Sequence, residues 1–409
     1  MNARARMMAA GILATTGLHA LAQSQPTPTP EIVPEAPRHL DSTPAVEVVF
    51  VLDTTGSMSG LIEGAKSKIW SIANSIATAN PRPVIRMGLV AYRDRGDEYI
   101  TRLTSLTDDL DAVYADLMGF QAAGGGDGPE SVNQALNEAV TGFDWSREAT
   151  TLRLIYLVGD APPHMDYEND VTYSVSCEAA ASAGIIINTI QCGSLAEATA
   201  PWQAIARLAE GEYFAIDQSG GVAVVGTPFD AELATLSREL DETLVFYGGE
   251  QVLAAQSAKM ALAEHIVVSA GDGALADRAA YRCRDIDGAT FLGVQELVAD
   301  CGSGKVTLEK LEKNELPEAL RSLSIDELKA YLDAKGKQRD GVRARMLELS
   351  AERDALLAEH SRRHAGSFDR SVLEALRKQA LRAGIRYDLP DVAPTPDEPG
   401  TAAIKENAR

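Results

Sequence analysis

Nowhere in this chain do apolar residues run for the roughly 18 positions that a membrane-spanning helix needs, so no transmembrane span is expected. Basic residues are outnumbered: 38 Lys and Arg stand against 59 Asp and Glu, a formal net charge of -21, which argues against nucleic acid as a partner. The excess carboxylates are available to cations, although a solvated, self-repelling surface accounts for the overall charge without any ligand. Cysteine is scarce, and the four present, Cys177, Cys192, Cys283 and Cys301, have none of the spacings of a zinc site. Two catalytic patterns each lack a part. Gly56-Ser57-Met58-Ser59-Gly60 has Met58 where a nucleophile elbow needs its serine. Gly302-Ser303-Gly304-Lys305 is followed by Val306 and has Ala299 at the first glycine position, so it is no phosphate loop. No internal repeat is visible.

Arg4 and Arg6 precede an apolar run from Met7 to Leu18 and then Ala20-Leu21-Ala22, the layout of a cleaved secretory signal over residues 1–22. The protein is therefore expected to be exported, periplasmic or extracellular. No cysteine lies near the cleavage point, which argues against a lipid anchor there. Residues 23–44, dense in Pro and Thr, read as an extended linker. In an exported chain an even cysteine count suits disulfides, with three connectivities open. Cys177 is expected to begin a helix and Cys192 to end the following strand at the same edge of a sheet-and-helix layer. That favours Cys177 with Cys192 and Cys283 with Cys301, with unpaired buried thiols as the alternative.

From Ala45 the chain alternates short β-branched runs with amphipathic stretches, the pattern of an α/β fold with a doubly wound, mostly parallel sheet. Six strands are expected, at Val46 to Leu52, Ile85 to Ala91, Tyr99 to Leu106, Leu152 to Val158, Ile185 to Ile190 and Glu212 to Ile216. Helices are expected at Leu61 to Ala77, Asp109 to Leu117, Pro129 to Thr141, Asp170 to Ala183, Pro201 to Ala209 and Asp230 to Val245. Residues 45–248 make one domain on this reading, and residues 249–389 a mainly helical region with a short strand around Glu264 to Ser269. Ser324-Ile325-Asp326-Glu327 fits a capping box at a helix start. Val342, Met346, Leu349 and Leu356 share a helical stripe interrupted by Arg353, which suits either an intramolecular helix pair or a coiled-coil surface for self-association. Residues 390–409, with Pro394, Pro396 and Pro399, read as a disordered tail.

Directly after the first buried strand stands Asp53-Thr54-Thr55-Gly56-Ser57. Ligands of open α/β sheets sit beyond the carboxyl ends of the strands, and a tight turn there can aim the oxygens of Asp53, Thr55 and Ser57 at one point, as hard cations require. Two further turns at that edge carry carboxylates: Gly124-Gly125-Gly126-Asp127-Gly128-Pro129-Glu130, and Asp160 after the strand ending at Val158. Arg95-Gly96-Asp97 reads as a plain charged turn, and His164 as a histidine satisfying loop backbone near the rim of the site.

These motifs resemble a von Willebrand factor type A (vWA) domain of a mainly bacterial, exported kind, with its metal-ion-dependent adhesion site. The Asp-x-Ser-x-Ser motif of that family stands here as Asp53, Thr55 and Ser57, with threonine replacing the first serine. The last ligand falls on Asp160. The family's middle threonine is replaced by a loop offering Asp127, with Glu130 and Ser131 close behind. The stretches Ala91 to Asp97 and Val158 to His164 add to the likeness, which covers about half the chain. The resemblance implies one divalent cation, Mg2+, Ca2+ or Mn2+, that accepts an acidic side chain of a partner protein. A protein-binding module with no catalytic role is thus expected. The alternatives are a cation-assisted hydrolase and a scaffold subunit of an envelope complex whose metal is only structural.

Overall fold

A computed structural model of the 409-residue chain describes residues 44–60, 62–77, 79, 82–216, 226–284, 295–363 and 368–387. The expected signal segment, nearly all of the linker and the proline-rich tail lie outside the described residues. Six strands form one sheet in the order β3-β2-β1-β4-β5-β6: β1 (Ala45–Asp53), β2 (Val84–Tyr92), β3 (Thr101–Thr107), β4 (Thr151–Gly159), β5 (Ile185–Cys192) and β6 (Tyr213–Ile216). All neighbours run parallel except β3, which pairs antiparallel with β2 at the edge. The expected six-stranded, mostly parallel α/β sheet is the one observed.

Strand β1 shows why the sheet is covered on both sides. Val46, Val48, Phe50 and Leu52 enter one core cluster while Val49 and Val51 enter the other, so the near-continuous apolar run is buried on both faces, as central parallel strands require. Helices α3 (Val132–Thr141), α4 (Tyr173–Ser182) and α5 (Ala196–Leu208) cover the Val49 face, and α1 (Ile62–Ala77) and α2 (Leu110–Gly119) cover the other. Helix α5 starts five residues before the expected Pro201, which sits inside it.

The chain after residue 249 adds to the same core. After α6 (Asp230–Asp241), the helices α7 (Glu250–Ser269) and α8 (Asp272–Arg284), the long helix Ile325–Arg363 and the helix Phe368–Ala380 follow in order. Ile266, Leu275, Tyr281, Val372 and Leu376 join the cluster under α1 and α2. The strand expected at Glu264 to Ser269 is helix instead. Ala263 and Ile266, one helical turn apart, are buried, whereas Val268 is 82% exposed; one-sided burial against the core outweighs the local β-branched preference. The stripe Val342, Met346 and Leu349 packs on Leu233, Leu240, Ala276 and Cys283, so its contacts are intramolecular and a coiled-coil partner surface is not what these residues form. Arg353, which interrupts the stripe, is buried and paired with Asp230 at 2.8 Å and Asp277 at 2.6 Å. The capping box forms as expected, with Ser324 Oγ accepting from Glu327 N and Glu327 Oε2 accepting from Ser324 N. No helix among the described residues is long and apolar enough to cross a membrane.

All four cysteines are free thiols, which corrects the expected disulfides. Cys177 packs in the cluster on one face of the sheet and Cys192 in the cluster on the other, so the sheet itself separates them. Cys283 is buried beside Ser350 Oγ at 3.7 Å, in a cluster with the long helix, while Cys301 borders a different cluster. Burial raises the thiol pKa of all four, that of Cys177 to about 12, which disfavours the reactive thiolate.

Candidate metal centre

Strand β1 ends at Asp53, fully buried between β2 and β4. Its Oδ1 accepts hydrogen bonds from Thr55 N at 2.8 Å and Thr55 Oγ1 at 2.6 Å, folding the turn back so that the short 3-10 helix Gly56–Gly60 starts at once. Thr55 Oγ1 lies 3.1 Å from Ser57 Oγ, which donates to Asp160 Oδ1 at 2.9 Å. Four expected residues from two loops are thus strung on one chain of oxygen contacts beyond the carboxyl end of the sheet, the place where open α/β sheets bind ligands. Gly159, which precedes Asp160, must be glycine: a Cβ there would meet Tyr92 Oη at 2.4 Å and Asp53 Cβ at 2.8 Å. Gly159→Ala is therefore expected to cost about 1–3 kcal/mol as overpacking of a closed core and to displace the Asp53 carboxylate; a melting temperature equal to the parent's would refute this.

The glycine-rich loop closes over that turn. Gly56 N donates to Gly124 O at 3.1 Å and Ala123 N to Thr54 O at 3.0 Å, while Gly124 and Gly125 adopt φ of 77° and 78°, a region open to glycine. A Cβ on Gly125 would lie 3.2 Å from Glu130 Oε1 and 3.4 Å from Thr55 Cβ. Glu130 Oε1 and Thr55 Cβ thus face the same side of Gly125. Glu130 is only 3% exposed, and its backbone is pinned by Glu130 N donating to Pro162 O and His164 N donating to Glu130 O. Asp127 takes a different position. Its side chain is 62% exposed and its Oδ1 lies 3.6 Å from His164 Nε2. Both acids line one cleft of about 500 Å3 with Ser57, Gly125 and Asp160, but the buried carboxylate in it beside Thr55 is Glu130.

The electrostatics are those of acids crowded together, none of Asp53, Glu130 and Asp160 having a salt-bridge partner among the described residues. Burial lifts the Asp53 carboxyl to about 7, against the pull of the Thr55 hydrogen bonds and with a further push from Asp160. Burial, then Asp53, Asp94, Asp97 and Asp160, lift Glu130 to about 9, and burial raises Asp160. Asp53 Oδ2 and Glu130 Oε2 are buried with no hydrogen-bond partner. Unpartnered buried carboxylate oxygens are costly, and either protons or a cation would offset that cost. Two carboxylates and two hydroxyls at one point form the hard oxygen set that a divalent ion takes.

Ser131 and His164 serve a neighbouring group. Ser131 Oγ donates to Asp94 Oδ1 at 2.9 Å, and His164 Nε2 lies 3.5 Å from Asp94 Oδ2. Two residues after β2 that sequence reasoning left without a role prove central. Arg93 is buried and ties loops together, with Nε donating to Thr54 O and Nη2 to Gln121 O; Asp94, also buried, accepts from Tyr167 Oη. The signal that marks them is the one that marked Asp53 and Asp160, a charge placed just past a buried parallel strand.

An open parallel sheet with such an oxygen-rich cleft at its carboxyl end defines a class of α/β domains, and sequence comparison names it. Residues 47–222 match the family model of the von Willebrand factor A domain, and the chain carries a vWA domain there. Over 103 residues it is 38% identical to von Willebrand factor A domain-containing protein 7 of Mus musculus, covering 25% of this chain and 11% of that protein. Over 125 residues it is 28% identical to an ariadne-like RING finger protein of Acanthamoeba polyphaga mimivirus, covering 31% and 12%. The chain thus spans about a tenth of the length of these curated relatives. Among solved structures, the SpRpn10 VWA domain is 14% identical, covering 45% of this chain and 96% of that one, with a TM-score of 0.35.

Proposed function

We propose that this protein is an exported, cation-dependent protein-binding module. On this reading a single Mg2+, Ca2+ or Mn2+ ion is held as in a metal-ion-dependent adhesion site by Asp53, Thr55, Ser57 and Asp160, with Glu130, rather than Asp127, as the buried acid beside it. The observation that carries the reading is Asp53 Oδ2, an acid oxygen fully buried at the sheet edge and without a partner. Neutral hydroxyl ligands leave a dication electrophilic, so it supplies an open position for an acidic side chain of a partner protein. Export is supported by Arg4, Arg6 and the apolar run from Met7 to Leu18; expressed with this segment in a Gram-negative host, the chain is expected in the periplasm with a new N-terminus near Gln23. The reading assigns no catalytic role. Cation-assisted hydrolysis needs a base positioned to take a proton from bound water, and the imidazole nearest the cleft, His164, is held at Nδ1 by Asp166 and faces Asp94 and Asp127.

Calorimetric titration of the purified protein with Mg2+, Ca2+ and Mn2+, run beside an Asp53→Ala, Ser57→Ala double variant, tests the site. Saturable binding to the parent that the double variant loses is the expected result. A folded parent that takes up none of the three ions overturns the proposal.

A further inference from the structure

A second constellation lies across the glycine loop, built from residues the oxygen site does not use. His164 follows the β4 loop, Asp94 follows β2, and Asp127 stands in the loop before α3; one ligand atom of each falls within 4.8 Å of the others. His164 is 4% exposed. Its Nδ1 lies 2.8 Å from Asp166 Oδ1, and its ring stacks on Tyr167 with centroids 4.0 Å apart. Arg95 lies over the other side of this assembly, its guanidinium 3.9 Å from the Tyr167 ring and paired with Asp170. With Nδ1–H given to Asp166, a neutral imidazole presents the lone pair of Nε2, and Nε2 is buried without a hydrogen-bond partner. What it faces is Asp94 Oδ2 at 3.5 Å and Asp127 Oδ1 at 3.6 Å. In that neutral tautomer, three electron-pair donors converge on one point.

The spacing indicates what fits. A charge-assisted hydrogen bond would close to about 2.7–2.9 Å. Ligands about 2.0–2.2 Å from a tetrahedral ion stand about 3.4 Å from one another, close to the 3.5 and 3.6 Å that separate Nε2 from the two carboxylates. Carboxylate support behind a ligating imidazole is the usual way its other nitrogen is aimed, and Asp166 supplies it. Asp94 is oriented in the same manner by Ser131 Oγ at 2.9 Å and Tyr167 Oη at 3.0 Å. We propose that His164, Asp94 and Asp127 form a second metal site, selective for a borderline transition ion such as Zn2+, beside the oxygen-only site and separate from it. An imidazole nitrogen in the donor set turns selectivity away from Mg2+ and Ca2+. Asp127, 62% exposed at the cleft, leaves the fourth position facing solvent. The cleft would then hold two ions of different chemistry, joined through the loop that carries Asp127 and Glu130. This inference does not rest on the adhesion-site reading, because no ligand is shared.

The test uses the full chain, stripped with chelator and then held in saturating Mg2+, titrated with Zn2+ against a fluorescent zinc indicator and with Co2+ followed by visible absorption. One equivalent of Zn2+ is expected to bind despite the Mg2+, and Co2+ to give the intense d–d bands of a four-coordinate site. His164→Gln should weaken Zn2+ at least a hundredfold, and Asp166→Asn about tenfold or more, as loss of outer-shell support does. Asp127→Asn guards against misfolding, since that side chain is exposed, and should weaken Zn2+ by at least tenfold with circular dichroism unchanged. The Asp53→Ala, Ser57→Ala variant should keep the Zn2+ equivalent, which separates failure of this site from failure of the other. No Zn2+ uptake in Mg2+, or uptake that Asp127→Asn and His164→Gln both leave unchanged, would overturn the proposal and leave a proton as the occupant of the gap.

Discussion

Arg278→Met is expected to destabilise the protein by about 3–5 kcal/mol, the usual cost of leaving one member of a buried ion pair alone. Arg278 is 1% exposed on α8, with Nε and Nη2 donating to the two Asp111 oxygens of α2 at 2.7 and 2.6 Å. Its Nη1 donates to Ser237 Oγ on α6 at 3.0 Å. One guanidinium thereby joins α2, beside the sheet, to two helices near or beyond residue 249. Burial by itself would raise the Asp111 pKa, but the paired guanidinium reverses this and holds the carboxyl well below the usual range. As pH falls, the unfolded chain takes up this proton first. The stability from Asp111 is therefore complete above about pH 4, its unfolded value, and is lost as pH falls toward the depressed folded value. Urea denaturation of the parent, Arg278→Met and Asp111→Asn at pH 7 and pH 3 checks both claims. A loss under 1 kcal/mol at pH 7, or an Asp111→Asn variant that keeps the parent's acid sensitivity, would contradict them.

At the oxygen site the sign is opposite. Asp53 and Glu130 are raised in the folded chain, to about 7 and about 9, so between about pH 4 and those values the native state holds protons that the unfolded chain has released. Without a cation, stability is expected to fall as pH rises through this window. Asp53 alone contributes a loss on the order of 4 kcal/mol by pH 8, because each tenfold difference in proton affinity between the folded and unfolded chain is worth about 1.4 kcal/mol. A divalent ion replaces the protons, and at a hundred times its Kd adds about 2.7 kcal/mol. Melting curves at pH 5 and pH 8, with Mg2+ or with chelator, are expected to show a large cation effect at pH 8 and a small one at pH 5. Asp53→Asn should remove the Asp53 share of the pH slope, leaving that of Glu130, and abolish most of the cation response. A parent whose melting temperature at pH 8 ignores Mg2+, Ca2+ and Mn2+ would sink the idea that these acids await an ion.

The parts of the structure that could be read ahead of it are those whose cause is local. Strand β1 announces itself because Val46 to Leu52 is apolar at both parities. The first motif does so because Asp53, Thr55 and Ser57 lie within five residues and a single turn can gather them. Where distant segments compete, local signals mislead. Ile266 and Val267 look like strand yet form helix, because Ile266 reaches the core under α2 one turn from Ala263. Cys177 and Cys192 look pairable at one sheet edge, yet their side chains point into opposite clusters, which period-2 alternation along β5 decides.

What the sequence alone determined is the alternation that makes a parallel α/β sheet and the acid and hydroxyls placed at the end of its first strand. Both follow from periodicity and from chain connectivity over a few residues. The tertiary structure alone decided which carboxylate of the glycine loop is buried beside Thr55, that Asp94 and His164 meet, and that Arg278, Arg339 and Arg353 are buried with acidic partners. Ser57 and Asp160 touch across 103 residues, and Arg278 and Asp111 across 167. Such contacts depend on strand order and on which helix lies over which strand, and those are set by burying the whole core at once rather than by any stretch of chain.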